Sequence, residues 1–74
     1  MTDVKSTTIE IELNGRVHAV RDGSSVADLV VELGLRPEIV AVEVNEELVM
    51  RDRRAGTSLR AGDRVELVTM VGGG

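Results

Sequence analysis

The sequence predicts an α+β domain in which one helix lies across one face of a mixed four- to five-stranded sheet. Three observations carry this prediction. Alternating apolar and polar residues flank Asn14-Gly15, the dipeptide most specific for a two-residue hairpin turn. One helical stripe follows, with Val26, Leu29, Val30 and Leu33 spaced i, i+3, i+4, i+7. Two further alternating runs, Val40 to Asn45 and Val65 to Met70, supply the remaining main strands. A chain of 74 residues holds one such domain, because two folded units would each be too small to sustain a core.

Each element has a local cause. Residues 1–8 are polar, hold one Lys and one Asp, lack the apolar run of a secretion signal, and read as a loose lead-in to a domain spanning 9–70. Ile9-Glu10-Ile11-Glu12-Leu13 and Arg16-Val17-His18-Ala19-Val20 form an antiparallel pair, because the type I′ turn between them needs positive φ at both central positions. A two-residue turn sets Ile11 opposite His18 and Ile9 opposite Val20, with His18 on the apolar face and Val17 and Ala19 outside. A bulge in the second strand would reverse those faces.

Arg21-Asp22-Gly23-Ser24 breaks the strand. Ser25 and Asp28 have the spacing of a capping box, and the carboxylate also suits the positive end of the helix dipole. Gly34 supplies a left-handed stop, Leu35 a contact beyond it, and Pro37 prevents resumption. The helix is about nine residues long and depends on packing, since helices this short are marginal in isolation.

Val40, Val42 and Val44 then point one way along a strand. Glu46-Glu47 reads as its turn and Leu48-Val49 as a short return strand. Arg51 to Arg60 shows no period and wraps the domain, with Leu59 as its inward anchor. After the Ala61-Gly62-Asp63 turn, Val65 and Leu67 face one side while Val68 and Met70 face the other, which marks a central strand. The expected core joins Ile9, Ile11, Leu13 and Val20 of the hairpin, Val26, Leu29, Val30 and Leu33 of the helix, and Val42, Val44, Leu59, Val65 and Leu67.

Composition narrows the functions available. Hydrophobic residues make up 42% of the chain, with thirteen Val, seven Leu and three Ile, a globular and strand-favouring mixture with no apolar run of membrane length. A net charge of -4 opposes binding to nucleic acid phosphates. Aromatic content is 0% and there is no Cys. Base-stacking platforms, disulfides and thiol nucleophiles are therefore excluded, and a reducing cytoplasm is the expected location.

Enzyme signals are weak. His18 is the single imidazole, with neither a Cys nor a Gly-x-Ser-x-Gly elbow to pair with it, and it reads as a structural strand residue. Glu10 and Glu12 form the solvent face of a half-buried strand rather than a catalytic carboxylate pair. One His without Cys or a ligand-rich loop gives no metal site. Charge is nonetheless uneven: 32–47 contains five Glu and one Arg, whereas 51–64 contains five Arg and two Asp. Arg51, Arg53, Arg54 and Arg60 read either as a solvated loop face or as a basic rim that steers an acidic partner.

The last strand runs into Val71-Gly72-Gly73-Gly74. A phosphate-binding loop needs a helix after its glycines, and none follows in this sequence. Residues 71–74 instead read as a flexible thread tipped by the Gly74 carboxylate. Without Cβ atoms, Gly72 and Gly73 allow it to enter a channel too narrow for other residues. Ordering three such residues costs roughly 3 to 6 kcal/mol, which a separate docking face must offset. Val68 and Met70, with Ala41 beside them, supply an outward apolar patch opposite the helix, extended by Val17 and Ala19 where the strand pairings hold.

From Ile9 to Gly74 the sequence resembles the ubiquitin-like β-grasp sulfur carriers, most closely those of the ThiS kind in bacterial thiamine biosynthesis. The likeness rests on Leu13-Asn14-Gly15, Gly23-Ser24-Ser25-Val26-Ala27-Asp28-Leu29, Val40-Ala41-Val42-Glu43-Val44-Asn45, Arg60-Ala61-Gly62-Asp63-Arg64-Val65-Glu66-Leu67-Val68 and the glycine tail. The family ending is commonly Gly-Gly, and here Gly72 precedes that pair. The resemblance implies a carrier and not an enzyme. Gly74 would be adenylated by a ThiF-like activating enzyme that uses ATP and magnesium, so this chain would hold no stable cofactor and no metal. A persulfide donor would convert the adenylate to a thiocarboxylate, an anionic nucleophile at neutral pH. The thiazole synthase ThiG would accept the sulfur. Sulfur carriers for molybdopterin or cysteine synthesis share this chemistry, and a non-covalent TGS-like β-grasp module shares the Gly62-Asp63 turn.

Overall fold

The computed structural model describes residues 7–70, so residues 1–6 and 71–74 lie outside the described residues. Strands β1 (Thr8–Leu13) and β2 (Arg16–Arg21) form the hairpin, and helix α1 covers Val26–Glu32. Strands β3 (Val40–Val44), β4 (Glu47–Leu48) and β5 (Arg64–Thr69) complete the sheet. Short 3-10 helices cover Pro37–Ile39 and Arg51–Gly56. The strand order is β2-β1-β5-β3-β4, with β5 parallel to β1 and every other pair antiparallel. A mixed five-stranded sheet with one helix across it is the β-grasp, and β5 is central, as its two apolar faces predict.

The hairpin follows its turn chemistry. Asn14 and Gly15 have φ of 50° and 84°, and the register runs unbroken from Thr8 opposite Arg21 to Leu13 opposite Arg16. No bulge intervenes, so His18 lies on the helix side. The strand begins at Thr8, one residue before the alternation becomes clear. At α1, the Ser25 hydroxyl accepts from Asp28 N–H and the Asp28 carboxylate accepts from Ser25 N–H, each at 3.0 Å, completing the capping box. The helix closes after seven residues rather than about nine. The closure occurs because Gly34 N–H donates to Val31 O and Leu35 N–H to Val30 O across a left-handed Gly34, the Schellman pattern.

The second turn differs from the sequence expectation. Asn45 and Glu46, not Glu46 and Glu47, occupy its centre, with φ of 53° and 71°. Val44 then faces Glu47, and the return strand is Glu47–Leu48, with Val49 N–H still donating to Val42 O. Asn45 decides this shift: it tolerates positive φ, and its Oδ1 accepts from Arg64 N–H at 2.9 Å while its Nδ2 donates to Asp63 Oδ1 at 3.0 Å.

Ile11, Val20, Val26, Leu29, Val30, Val40, Val42, Leu59 and Val65 form the buried core. Ile9, Leu13, Leu33, Val44 and Leu67 are only partly buried against it. Leu59 is the anchor its position implied, and its N–H donates to Ser24 O beside the helix start. Arg54 corrects both readings of the basic stretch. It is 6% exposed, with Nη1 donating to Pro37 O at 3.1 Å and Nη2 to Val40 O at 2.7 Å. Its guanidinium is neither solvated nor part of a rim; it ties the second 3-10 helix to the first, where carbonyls at a helix end need donors.

Candidate functional site

The site is built around β5, which leads directly to residue 71. Asparagines from both type I′ turns grip this strand. On the β1 side, Asn14 N–H donates to Val65 O at 2.9 Å, and its carboxamide pairs with the backbone of Leu67. On the β3 side, Asn45 N–H donates to Arg64 O at 2.7 Å and its Oδ1 accepts from Arg64 N–H. Met70 N–H donates to Ile39 O at 2.6 Å, so pairing continues to the last described residue. The strand is thus held on both of its sides.

Alternation assigns the outer face. Val68 is directly opposite Ala41, and both project away from α1. Val68 is 59% exposed and Met70 51%, as the sequence analysis expected. Leu48 and Met50, 59% and 60% exposed, were not anticipated there. Leu48 faces Glu43 and Val49 N–H donates to Val42 O, so alternation turns Met50, just past β4, to the same outer side as Leu48, next to the apolar row formed by the paired Val68 and Ala41. The signal was available in Asn45: a two-residue turn at 45–46 pairs Val44 with Glu47 and turns positions 48 and 50 outward.

Val17 and Ala19 do not join this patch. They are exposed on β2, and β1 intervenes with Glu12 opposite Val17 and Glu10 opposite Ala19. Two strand spacings, roughly 9.5 Å, therefore separate them from β5. Charge reinforces the division. Arg64 bridges Glu12 at 3.9 Å and Glu46 at 3.6 Å, pairs too exposed to add much stability.

Among the described residues the single imidazole stands apart from the apolar row. His18 Nε2 lies 3.8 Å from Glu32 Oε2 on the helix side of β2, on the face opposite the apolar row. Among the described residues no group of three or more His, Cys, Asp or Glu could hold a metal ion, and no helix is long and apolar enough to cross a membrane. The larger surface grooves, including one between Leu48, Met50, Arg53 and Arg60, are open to solvent. The described residues present an exposed apolar row beside the C-terminal half of β5. Val71, Gly72, Gly73 and Gly74 themselves lie outside the described residues.

Comparison with known proteins agrees with this geometry. The model of the ThiS family matches residues 7–74. A segment of the thiazole synthase of Magnetococcus marinus is 38% identical over 66 residues, covering 89% of this chain and 20% of that protein. The sulfur carrier protein ThiS of Bacillus subtilis is 35% identical over 65 residues, covering 86% of this chain and 98% of that protein. The crystal structure of thiamine biosynthesis protein ThiS from Geobacter metallireducens superimposes with a TM-score of 0.77 at 30% identity, covering 89% of this chain and 100% of that one. The chain thus spans a fifth of the thiazole synthases it matches and nearly the whole of the Bacillus subtilis carrier. With a matching fold, an apolar face beside the outgoing strand and a family match reaching residue 74, the chain belongs to the ThiS family.

Proposed function

We propose that this chain is a sulfur carrier of thiamine biosynthesis whose Gly74 carboxylate is converted to a thiocarboxylate. The observation that carries this reading is the central β5, held on both sides and leading into Val71-Gly72-Gly73-Gly74 beside an exposed apolar row. A free carboxylate is a poor electrophile. A ThiF-like partner, holding ATP and magnesium itself, joins Gly74 to AMP and releases pyrophosphate. The terminal sulfur of a persulfide then displaces AMP to give an acyl disulfide. Cleavage of its S–S bond by a thiol leaves the thiocarboxylate. Residues 71–73 thread the channel, while Ala41, Val68 and Met70 dock, joined by Leu48 and Met50.

The acceptor in this reading is a thiazole synthase of the ThiG kind. The synthase of Magnetococcus marinus contains a segment similar to this chain, and fusion raises the effective concentration of modules that act together. In this reading the chain serves its partners in the cytoplasm as a carrier and not as an enzyme. Intact-mass measurement after incubation with the ThiF-like enzyme, ATP and a persulfide donor tests this. Replacing one oxygen by sulfur adds about 16 Da in a species that reverts on hydrolysis, and deleting Gly73-Gly74 abolishes it while leaving the fold intact. Failure of the full-length chain to gain that mass refutes the carrier reading.

A further inference from the structure

The outer face carries an arrangement that does not serve the free chain. Glu43 of β3 and Glu66 of β5 are direct cross-strand partners, and both are exposed. Like charges directly opposite each other on a sheet are destabilising. Among the described residues neither carboxylate has an ion-pair partner, and the nearest outer-face cation on β5, Arg64, is engaged with Glu12 and Glu46. Apolar side chains border the pair. Leu48 lies opposite Glu43 on the β4 side, and the Val68–Ala41 pair follows in the next position on the same face. Two unpaired carboxylates among apolar anchors fit a protein surface that brings a cation to the centre of a dry contact. A planar guanidinium can bridge both carboxylates, which an ammonium point charge does less well.

We propose that this face docks onto a thiazole synthase surface presenting an arginine, which lies over the Glu43–Glu66 pair while Leu48, Met50 and Val68 seat in apolar hollows around it. The inference rests on the carrier reading above for its partner, and on the charge pattern for its chemistry. It assigns roles to Glu43, Glu66, Leu48 and Met50 beyond the tail. It also explains why a repulsive pair occupies two strands whose solvent faces accept any polar residue.

The test separates docking from folding. Calorimetric binding of the full chain to purified thiazole synthase is measured at low and high salt for wild type, Glu43→Gln, Glu66→Gln and Glu10→Gln, alongside thermal melts of each free chain. Relief of repulsion raises the melting temperature of Glu43→Gln and Glu66→Gln by about 1–2 °C. The same substitutions weaken binding about 5- to 10-fold and flatten its salt dependence. Glu10→Gln, on β1 away from the apolar row, changes neither appreciably. Wild-type affinity and salt slope in both Glu43→Gln and Glu66→Gln overturn the proposal while leaving the carrier reading intact. Absence of binding by wild type overturns this proposal and the thiazole synthase as acceptor, whereas the carrier reading is decided by the mass measurement.

Discussion

The carboxamide of Asn14 exchanges two hydrogen bonds with the backbone of Leu67, 53 residues away: Oδ1 accepts from Leu67 N–H at 2.8 Å, and Nδ2 donates to Leu67 O at 3.4 Å. Strand β1 ends at Leu13, so this side chain replaces the strand residue that β5 would otherwise lack. It extends the parallel ladder one step toward the outgoing tail. The same residue supplies the positive φ of its own turn, so one asparagine closes the hairpin and fastens the central strand.

Asn14→Gly keeps the turn and removes the carboxamide, so it isolates the second role. The expected loss is about 1–2 kcal/mol for two hydrogen bonds at a partly solvated site. Amide exchange at Leu67, whose N–H loses its Asn14 Oδ1 acceptor, accelerates more than exchange at Val65, which has no bond to the carboxamide. Asn14→Asp retains an acceptor for Leu67 N–H yet sets its second oxygen against Leu67 O, and is no better than glycine. Denaturant melts and residue-resolved hydrogen exchange check this, and equal protection at Leu67 in wild type and Asn14→Gly contradicts it.

Arg53 and Arg54 are adjacent in sequence and opposite in consequence. Arg54→Ala leaves the carbonyls of Pro37 and Val40 without their donors and opens space beneath the second 3-10 helix, costing about 2–4 kcal/mol. Arg53→Ala, at an exposed position, stays within about 0.5 kcal/mol of wild type. Chemical denaturation of the two variants decides the matter; comparable losses would mean that the Arg54 bonds contribute nothing specific.

One-residue steps along β5 separate fold from docking. Leu67→Asp places a carboxylate against the core on the helix side and unfolds the domain or costs several kcal/mol. Val68→Asp and Met50→Asp fold normally and weaken binding to the thiazole synthase roughly 10-fold or more. Val17→Asp, on the far edge of the same face, leaves that binding unchanged. Circular dichroism paired with binding measurements distinguishes the four, and a Val17→Asp defect equal to that of Val68→Asp would enlarge the docking face to the whole sheet.

Ser25→Ala removes the hydroxyl that accepts from Asp28 N–H and costs about 1 kcal/mol. Asp28→Ala removes the reciprocal half with a similar effect. The double variant loses less than the sum, because each half of the box holds the other in place. Melting curves of the wild type and the three variants measure this. Full additivity would show that the two bonds form independently.

What the sequence determined by itself lies within a few residues of its cause. Asn14-Gly15 dictates a hairpin because both positions adopt positive φ cheaply, Ser25 with Asp28 starts the helix, and Gly34 with Leu35 ends it. Alternation in Val65 to Met70 turns Leu67 inward and Val68 outward, which marked β5 as central and placed Val68 and Met70 on the outer face. The turn at Asn45-Glu46 was equally local, and an asparagine followed by two glutamates hid it, since no glycine marked the positive-φ site.

Tertiary structure decided the rest. In Arg51-Asp52-Arg53-Arg54 no local pattern distinguishes the arginines, and burial selected Arg54 because the carbonyls of Pro37 and Val40 converge on it from another part of the chain. Strand order, invisible in periodicity, set β1 between Val17 and Val68 and brought Ala41 beside Val68. It also set Glu43 against Glu66. Side-chain direction along a strand follows from backbone geometry one residue at a time, whereas neighbours across a sheet are chosen by the total burial of every strand at once. Position 14 shows both rules in one residue: sequence assigned its turn, and only the fold gave it Leu67.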